Sequence, residues 1–304
     1  MTKSFFYSVI FCFLFTFKGF AQENLNTCLF SDVELLKHVK SLSSDTFEGR
    51  RTGTKGSLKA KKYIINQFNA LDVLPLAKEY NQNFTFTHKR DFYQASNILG
   101  IVKGIELPEK YIVISAHYDH EGIKNNTIYN GADDNASGLS ALFAFAEYFK
   151  NNPPKHSVIL AAFDAEELGL RGSKYFVNNL IVPSKDIVVN LNMDMISRSN
   201  KNELFVVGAS ENKRFNYIIK NLNSSNKIKL LIGHDGYDGL DNWTYASDHV
   251  NFYKKGIPFL YFGVEDHKDY HEPTDDYENI HPEFYIEAVK KIISVFEKID
   301  TSKF

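Results

Sequence analysis

Four apolar runs of strand length, each leading into ionisable residues, constrain this chain more than any other feature. YIVISA (111–116) runs into His117, and HSVILAAFDA (156–165) into Glu166 and Glu167. DIVVNLNMDM (186–195) carries Asp194, and IPFLYFGV (257–264) opens a loop that carries His271. Runs this continuously apolar suit strands buried on both faces. Segments of helical periodicity alternate with them, at 136–150, 169–178, 211–222 and 282–298. The alternation specifies an α/β fold, a single globular domain with a central, mostly parallel mixed sheet flanked by helices. In open sheets of this kind ligands bind beyond the carboxyl ends of the strands.

Upstream, Ser31-Asp32 caps a helix expected over 32–42, with Val33, Leu35, Leu36, Val39 and Leu42 at helical spacing. SSDTFEGRRTGTKGS is polar and glycine-rich and reads as a loop. A helix over 58–71 turns Ala60, Tyr63, Ile64 and Phe68 inward, and alternating residues over 82–103 read as a strand pair. ELFVVGA is a further strand, and residues 234–250 read as a loop-rich insertion. No Pro/Ser-rich linker divides the chain, so 22–304 is expected to be one domain.

Residues 1–21 have the form of a signal peptide. Lys3 precedes an apolar run from Phe5 to Phe17, and small residues Gly19 and Ala21 follow. The run is shorter than the ~20 residues a membrane span needs. A periplasmic or secreted protein with no stable membrane span after signal removal is expected. Cys12 lies in that segment, so Cys28 has no partner for an intrachain disulfide. The formal charge of −2 becomes −4 without Lys3 and Lys18. That balance, with acids and bases interleaved, argues against nucleic acid as a partner.

His117, Asp119, Glu166, Glu167, Asp194 and His271 thus gather at one sheet edge, with Asp133 and Asp134 at the head of the next helix. Clustered carboxylates raise one another's pKa, and a divalent cation removes that penalty. Imidazole and carboxylate donors without cysteine suit Zn²⁺. The donors exceed the needs of one tetrahedral ion, so two ions bridged by a shared carboxylate are expected.

The ordered motifs HYD, GADDNASG, EELGLRGS, NMDM, SDHVNF and YHEPTD resemble those of the di-zinc aminopeptidase family. That family includes secreted bacterial leucyl aminopeptidases and yeast aminopeptidase Y. Glutamate carboxypeptidase II, glutaminyl cyclase and the transferrin receptor ectodomain are relatives. The resemblance implies one zinc held by His117, Asp134 and Asp194 and another by Asp134, Glu167 and His271. It implies Glu166 as general base and Asp119 as the carboxylate that orients the His117 ring. Peptides with a free N-terminus are the implied substrates. Glutaminyl cyclase-like or carboxypeptidase-like chemistry, or a binding ectodomain, are the alternatives, with Arg171 as a cation for a C-terminal carboxylate.

Other residues have plainer readings. His120, His249 and His267 suit hydrogen bonding better than ligation. Asp248-His249 is expected to shape the site wall, and Asp275 to support His271. Trp243 and Tyr245 are candidates for a side-chain pocket. Asp235, Asp238 and Asp241 read as a turn rather than a calcium loop.

Overall fold

The structure is a computed structural model that, apart from Met1, describes residues 28–210, 212–222 and 227–302. The expected signal peptide therefore lies outside the described residues. The chain runs α1 (Asp32–Leu42), α2 (Lys55–Ala70), β1 (Leu74–Pro75), β2 (Asn81–His88), β3 (Asp91–Val102), β4 (Leu107–His117), β5 (Gly122–Lys124), β6 (Thr127–Tyr129) and α3 (Gly138–Asn151). It continues through β7 (His156–Phe163), α4 (Arg171–Asn178), β8 (Ile187–Met193), β9 (Glu203–Val207), α5 (Lys213–Asn221), β10 (Lys229–Ile232), α6 (His249–Lys254), β11 (Phe259–Gly263) and α7 (Pro282–Asp300).

The main sheet is mixed, in the order β1-β3-β7-β4-β8-β11-β9-β10, with β2 paired to β3. Its centre, β7-β4-β8-β11, is parallel. The flanks reverse, because β3 is antiparallel to β7 and β9 is antiparallel to β11. The four apolar runs form the parallel centre, so their carboxyl ends lie side by side.

Period-two alternation puts residues of each central strand on opposite faces. Ile112, Ile114 and Ala116 join one buried cluster with residues of α1, α2, α3, α5 and α7. Val113, Ile159, Ala161 and Phe163 join another with Phe176 of α4 and Phe252 of α6. Both sheet faces are therefore covered, as strands this apolar require. In α7, Tyr285, Ala288, Val289, Ile292, Ile293 and Phe296 are all buried. Each large member of that stripe contributes about 1.5–3 kcal/mol by leaving water.

Helix starts follow their caps. The Ser31 hydroxyl accepts from Glu34 N at α1. The Thr54 hydroxyl accepts from Ser57 N, which starts α2 at Lys55, inside the segment expected to be loop. The expected loop-rich insertion, 234–250, holds a single 3-10 turn at Trp243–Tyr245, and α6 begins at its end. Among the described residues, no helix is long and apolar enough to cross a membrane.

Candidate metal centre

Each ionisable residue reaches the site from its own strand end. His117 closes β4, Glu166 and Glu167 follow β7, Asp194 follows β8, and the loop beyond β11 brings His271. Asp134 comes from the turn that opens α3. His117 Nε2 stands 3.2 Å from Asp194 Oδ1 and 3.4 Å from Asp134 Oδ1. His271 Nε2 stands 3.3 Å from Asp134 Oδ2 and 3.5 Å from Glu167 Oε2. The two oxygens of Asp134 thus face different histidines. Atoms bound about 2.0–2.1 Å from one tetrahedral zinc lie about 3.3–3.4 Å apart. The measured separations scatter around that edge length, and the donors are imidazole and carboxylate. The residues fit the expected ions, with Asp134 placed to serve both.

The electrostatics point the same way. Burial, joined by repulsion from Glu167, raises the Asp134 carboxyl above its usual range. Burial likewise raises Glu166, with Glu167, Asp194 and Asp248 adding to the shift. Burial opposes the charge on His117, but Asp194, Glu166 and Asp134 carry its pKa well above 6.5. The Asp134 hydrogen bond is the main cause that lifts His271 to about 9. Proteins hold so many buried acids together by adding positive charge, which here comes from protonated imidazoles or a cation.

Several supporting residues behave differently from expectation. The ring of His117 is oriented by the main chain of Asp119, whose carbonyl lies 3.1 Å from Nδ1, while the nearest carboxylate oxygen is 3.8 Å away. The Asp119 carboxylate instead accepts the backbone N–H groups of Glu166 at 3.0 Å and Glu167 at 3.3 Å. It anchors the acidic pair because the β7–α4 turn passes directly over it. Asp275 does not support His271 through its side chain. Its carboxylate accepts the backbone N–H groups of Asp133 and Asp134. Arg171 is engaged elsewhere, bonding Leu168 O and lying over the Phe86 ring.

Other residues around the cluster take hydrogen-bonding roles. Asp133 faces away from the cluster, accepting from Ser197 and lying 3.0 Å from His267 Nε2. His249 Nε2 bonds Trp243 O at 2.9 Å. Asp235 accepts from Gly208 N and Ser210 N, and Asp238 from His234 N and Leu240 N, so that segment is a hydrogen-bonded turn.

One supporting residue was missed. Arg50 is fully buried and donates to Leu42 O, Tyr118 O, Asn130 O and Gly131 O. It clamps both ends of the loop between His117 and Asp134. A single arginine in a polar, glycine-rich loop has no periodicity to reveal this. His120 has the bonding role expected of it, with Nδ1 2.9 Å from Glu167 Oε1, a partner its sequence position did not name.

A cavity of about 300 Å³ opens over the cluster. His117, Asp134, Glu166, Glu167, Asp194 and His271 line its polar side, and Leu170, Met195, Trp243, Tyr261 and Tyr270 its apolar side. Trp243 is held by stacking on His234 at 3.5 Å. Tyr245 faces a separate cleft on the other side of that segment. A larger cleft of about 1170 Å³ lies between α2 and the β2–β3 hairpin, but no histidine lines it.

The model of peptidase family M28 matches residues 97–296. The chain belongs to this family. Aminopeptidase YwaD of Bacillus subtilis is 32% identical over 220 residues, 69% of this chain and 46% of that protein. Probable glutamate carboxypeptidase VP8 of Zea mays is 35% identical over 118 residues, 37% of this chain and 16% of that protein. The chain thus spans less than half the length of these two M28-like relatives. Among solved structures, a zinc aminopeptidase from Bacillus subtilis superposes with a TM-score of 0.71 at 17% identity, over 90% of this chain and 97% of that one. A Fimbriiglobus ruber glutaminyl cyclase does so with a TM-score of 0.72 at 17% identity, over 89% and 95%. Those likenesses establish the shared fold.

Proposed function

We propose that this M28 protein is an exported di-zinc aminopeptidase that removes N-terminal residues from peptides. The observation that carries the reading is the cavity lining. It brings His117, Asp134, Asp194, Glu167 and His271, the five residues of the proposed ligand sets, together with Glu166, and no lysine or arginine is among its lining residues. Acids outside the ligand sets, Glu166 and Asp266, can face an α-ammonium group, while no protein cation lines the cavity for a C-terminal carboxylate. The full ligand complement speaks against a binding ectodomain that has lost catalysis. The names of the similar bacterial proteins, aminopeptidase YwaD and a zinc aminopeptidase, support the same activity.

One zinc would be held by His117, Asp134 and Asp194, and a second by Asp134, Glu167 and His271. Bound there, zinc supplies Lewis acidity that makes water a usable nucleophile near neutral pH and polarises a peptide carbonyl. Glu166 lines the cavity beside both sets, where it takes the proton of the attacking water and returns it to the leaving amine. Asp119 fixes that base by holding the Glu166 and Glu167 backbone N–H groups. Trp243, Tyr261 and Tyr270 favour an apolar or aromatic N-terminal side chain. Export rests on the residue pattern of 1–21, with 22–304 as the peptidase domain.

A panel of aminoacyl-coumarin substrates, with and without a chelator, tests the reading. Chelator-sensitive release, highest for apolar residues, is expected. Release of C-terminal residues alone would overturn it. So would conversion of an N-terminal Gln peptide to pyroglutamate without release of an amino acid, the outcome of a cyclase on the same fold.

A further inference from the structure

His120 is fully buried, and the reaction described above gives it no task. Its Nδ1 lies 2.9 Å from Glu167 Oε1 and 3.7 Å from Asp134 Oδ2. Both carboxylates belong to the second ligand set. The ring lies against Gly131, where an added Cβ would come within 2.5 Å of His120 Cδ2 and 2.1 Å of Asp134 O. Gly131 also has φ +59°, in the region that disfavours side chains. The backbone is thus shaped to admit the imidazole at this depth.

An imidazole here can be a metal ligand or a hydrogen-bond donor, and its distance to Glu167 favours the donor. His120, Asp134 and Glu167 stand close enough together to hold an ion, and pairs assigned to one ion are 3.2–3.5 Å apart. The 2.9 Å from His120 to Glu167 is the usual length of an N–H···O hydrogen bond. An ionised carboxylate only accepts, so Nδ1 carries the proton. Nε2 of a neutral ring is then a bare acceptor, and in the structure it has no hydrogen-bond partner. The oxygens of Glu167 are divided in consequence: Oε1 is engaged by His120, while Oε2 faces His271.

We propose that His120 is a positioning residue for the second zinc. Its Nδ1–H holds Glu167 so that Oε2 stands beside His271 Nε2, which sets the affinity of the second ion and leaves that of the first unchanged. The inference rests on the two-ion reading. Hydrogen-bond partners of metal ligands typically change affinity about 10–100-fold.

The test is zinc competition with a chelator, resolving both ions, on the full chain and on His120→Leu, His120→Asn and His120→Gln. Asparagine carries an amide N–H close to the position of Nδ1, whereas the glutamine amide reaches toward Nε2. The expected result is a loss of about 10–100-fold in second-ion affinity for the leucine and glutamine variants, with the first ion held as in the parent. The asparagine variant should recover most of the loss. Equal weakening of both ions in all three variants, or no change in the leucine variant, overturns the proposal. X-ray absorption of the zinc-loaded parent should count two imidazoles over two ions, and a third would make His120 a ligand and overturn it as well. A parent that binds a single ion overturns the two-ion reading together with this inference. A parent with two ions and an unchanged leucine variant overturns the inference alone.

Discussion

Replacing Arg50 tests whether the site is held together from behind. The guanidinium is fully buried, with bonds of 2.9 Å to Tyr118 O, 2.7 Å to Leu42 O, 2.6 Å to Asn130 O and 2.9 Å to Gly131 O. In Arg50→Met the Gly131 carbonyl keeps the Ala136 N–H at 3.1 Å, while the Leu42, Tyr118 and Asn130 carbonyls lose this donor. A buried acceptor without a partner costs about 1–3 kcal/mol, so three together cost about 3–9 kcal/mol. Removing the buried cation also removes its own desolvation penalty but leaves Asp134, Asp275 and Asp119 without it, so the net loss is about 3–5 kcal/mol, the usual cost of removing one partner of a buried charged network. For a domain of this size that lowers the melting temperature by about 6–20 °C. Arg50→Lys keeps the charge but not the planar fork, and an ammonium cannot span four carbonyls, so an intermediate loss is expected. Thermal unfolding of both variants, with zinc and with chelator, measures the effect. If Arg50→Met unfolds within about 1 kcal/mol of the parent, the clamp is not a structural support and the reasoning is refuted.

Glu166→Gln should keep its zinc, because Glu166 is outside both ligand sets, while turnover falls about 10²–10⁴-fold. Metal analysis beside a kinetic assay checks this, and a fully active variant removes the base. Burial is the chief cause that lowers His38 from 6.5 to about 4, so the unfolded chain binds a proton there that the folded one refuses. Stability from this group is complete above pH 6.5 and declines by about 3 kcal/mol as pH falls to about 4. Denaturation across that window should show a shallower slope in His38→Gln, and an unchanged slope counts against the assignment. Trp243→Ala removes the apolar wall of the cavity and should lower kcat/KM for bulky N-terminal residues about 10–100-fold, with a smaller effect on alanine. Equal losses across the substrate panel would place Trp243 outside the side-chain pocket.

Most of the candidate ligands were legible because they follow apolar runs. A strand too apolar to face water must lie inside the sheet, and the next polar residue emerges at the edge. Which of them would serve which ion came from the resemblance, and Asp134 stands at the head of α3 rather than after an apolar run. Strand direction was less accessible. ELFVVGA reads as a strand from composition, but its reversal against β11 follows from the path of the chain. The role of the Asp119 carboxylate depended on where the β7–α4 turn would pass, which sequence spacing from His117 does not encode. Arg50, and the partner of His120, were hidden for a related reason. Each acts by tertiary contact across long stretches of chain, Arg50 on carbonyls up to 81 positions away and His120 on a carboxylate 47 positions away. Neither distance leaves a local pattern.

The central claim is that Asp134 is shared by two ions. Anomalous diffraction at the zinc edge from crystals of the zinc-loaded protein addresses it most directly. Two peaks are expected, one among His117, Asp134 and Asp194 and the other among Asp134, Glu167 and His271. A single peak, or a second peak out of reach of the Asp134 carboxylate, would contradict it.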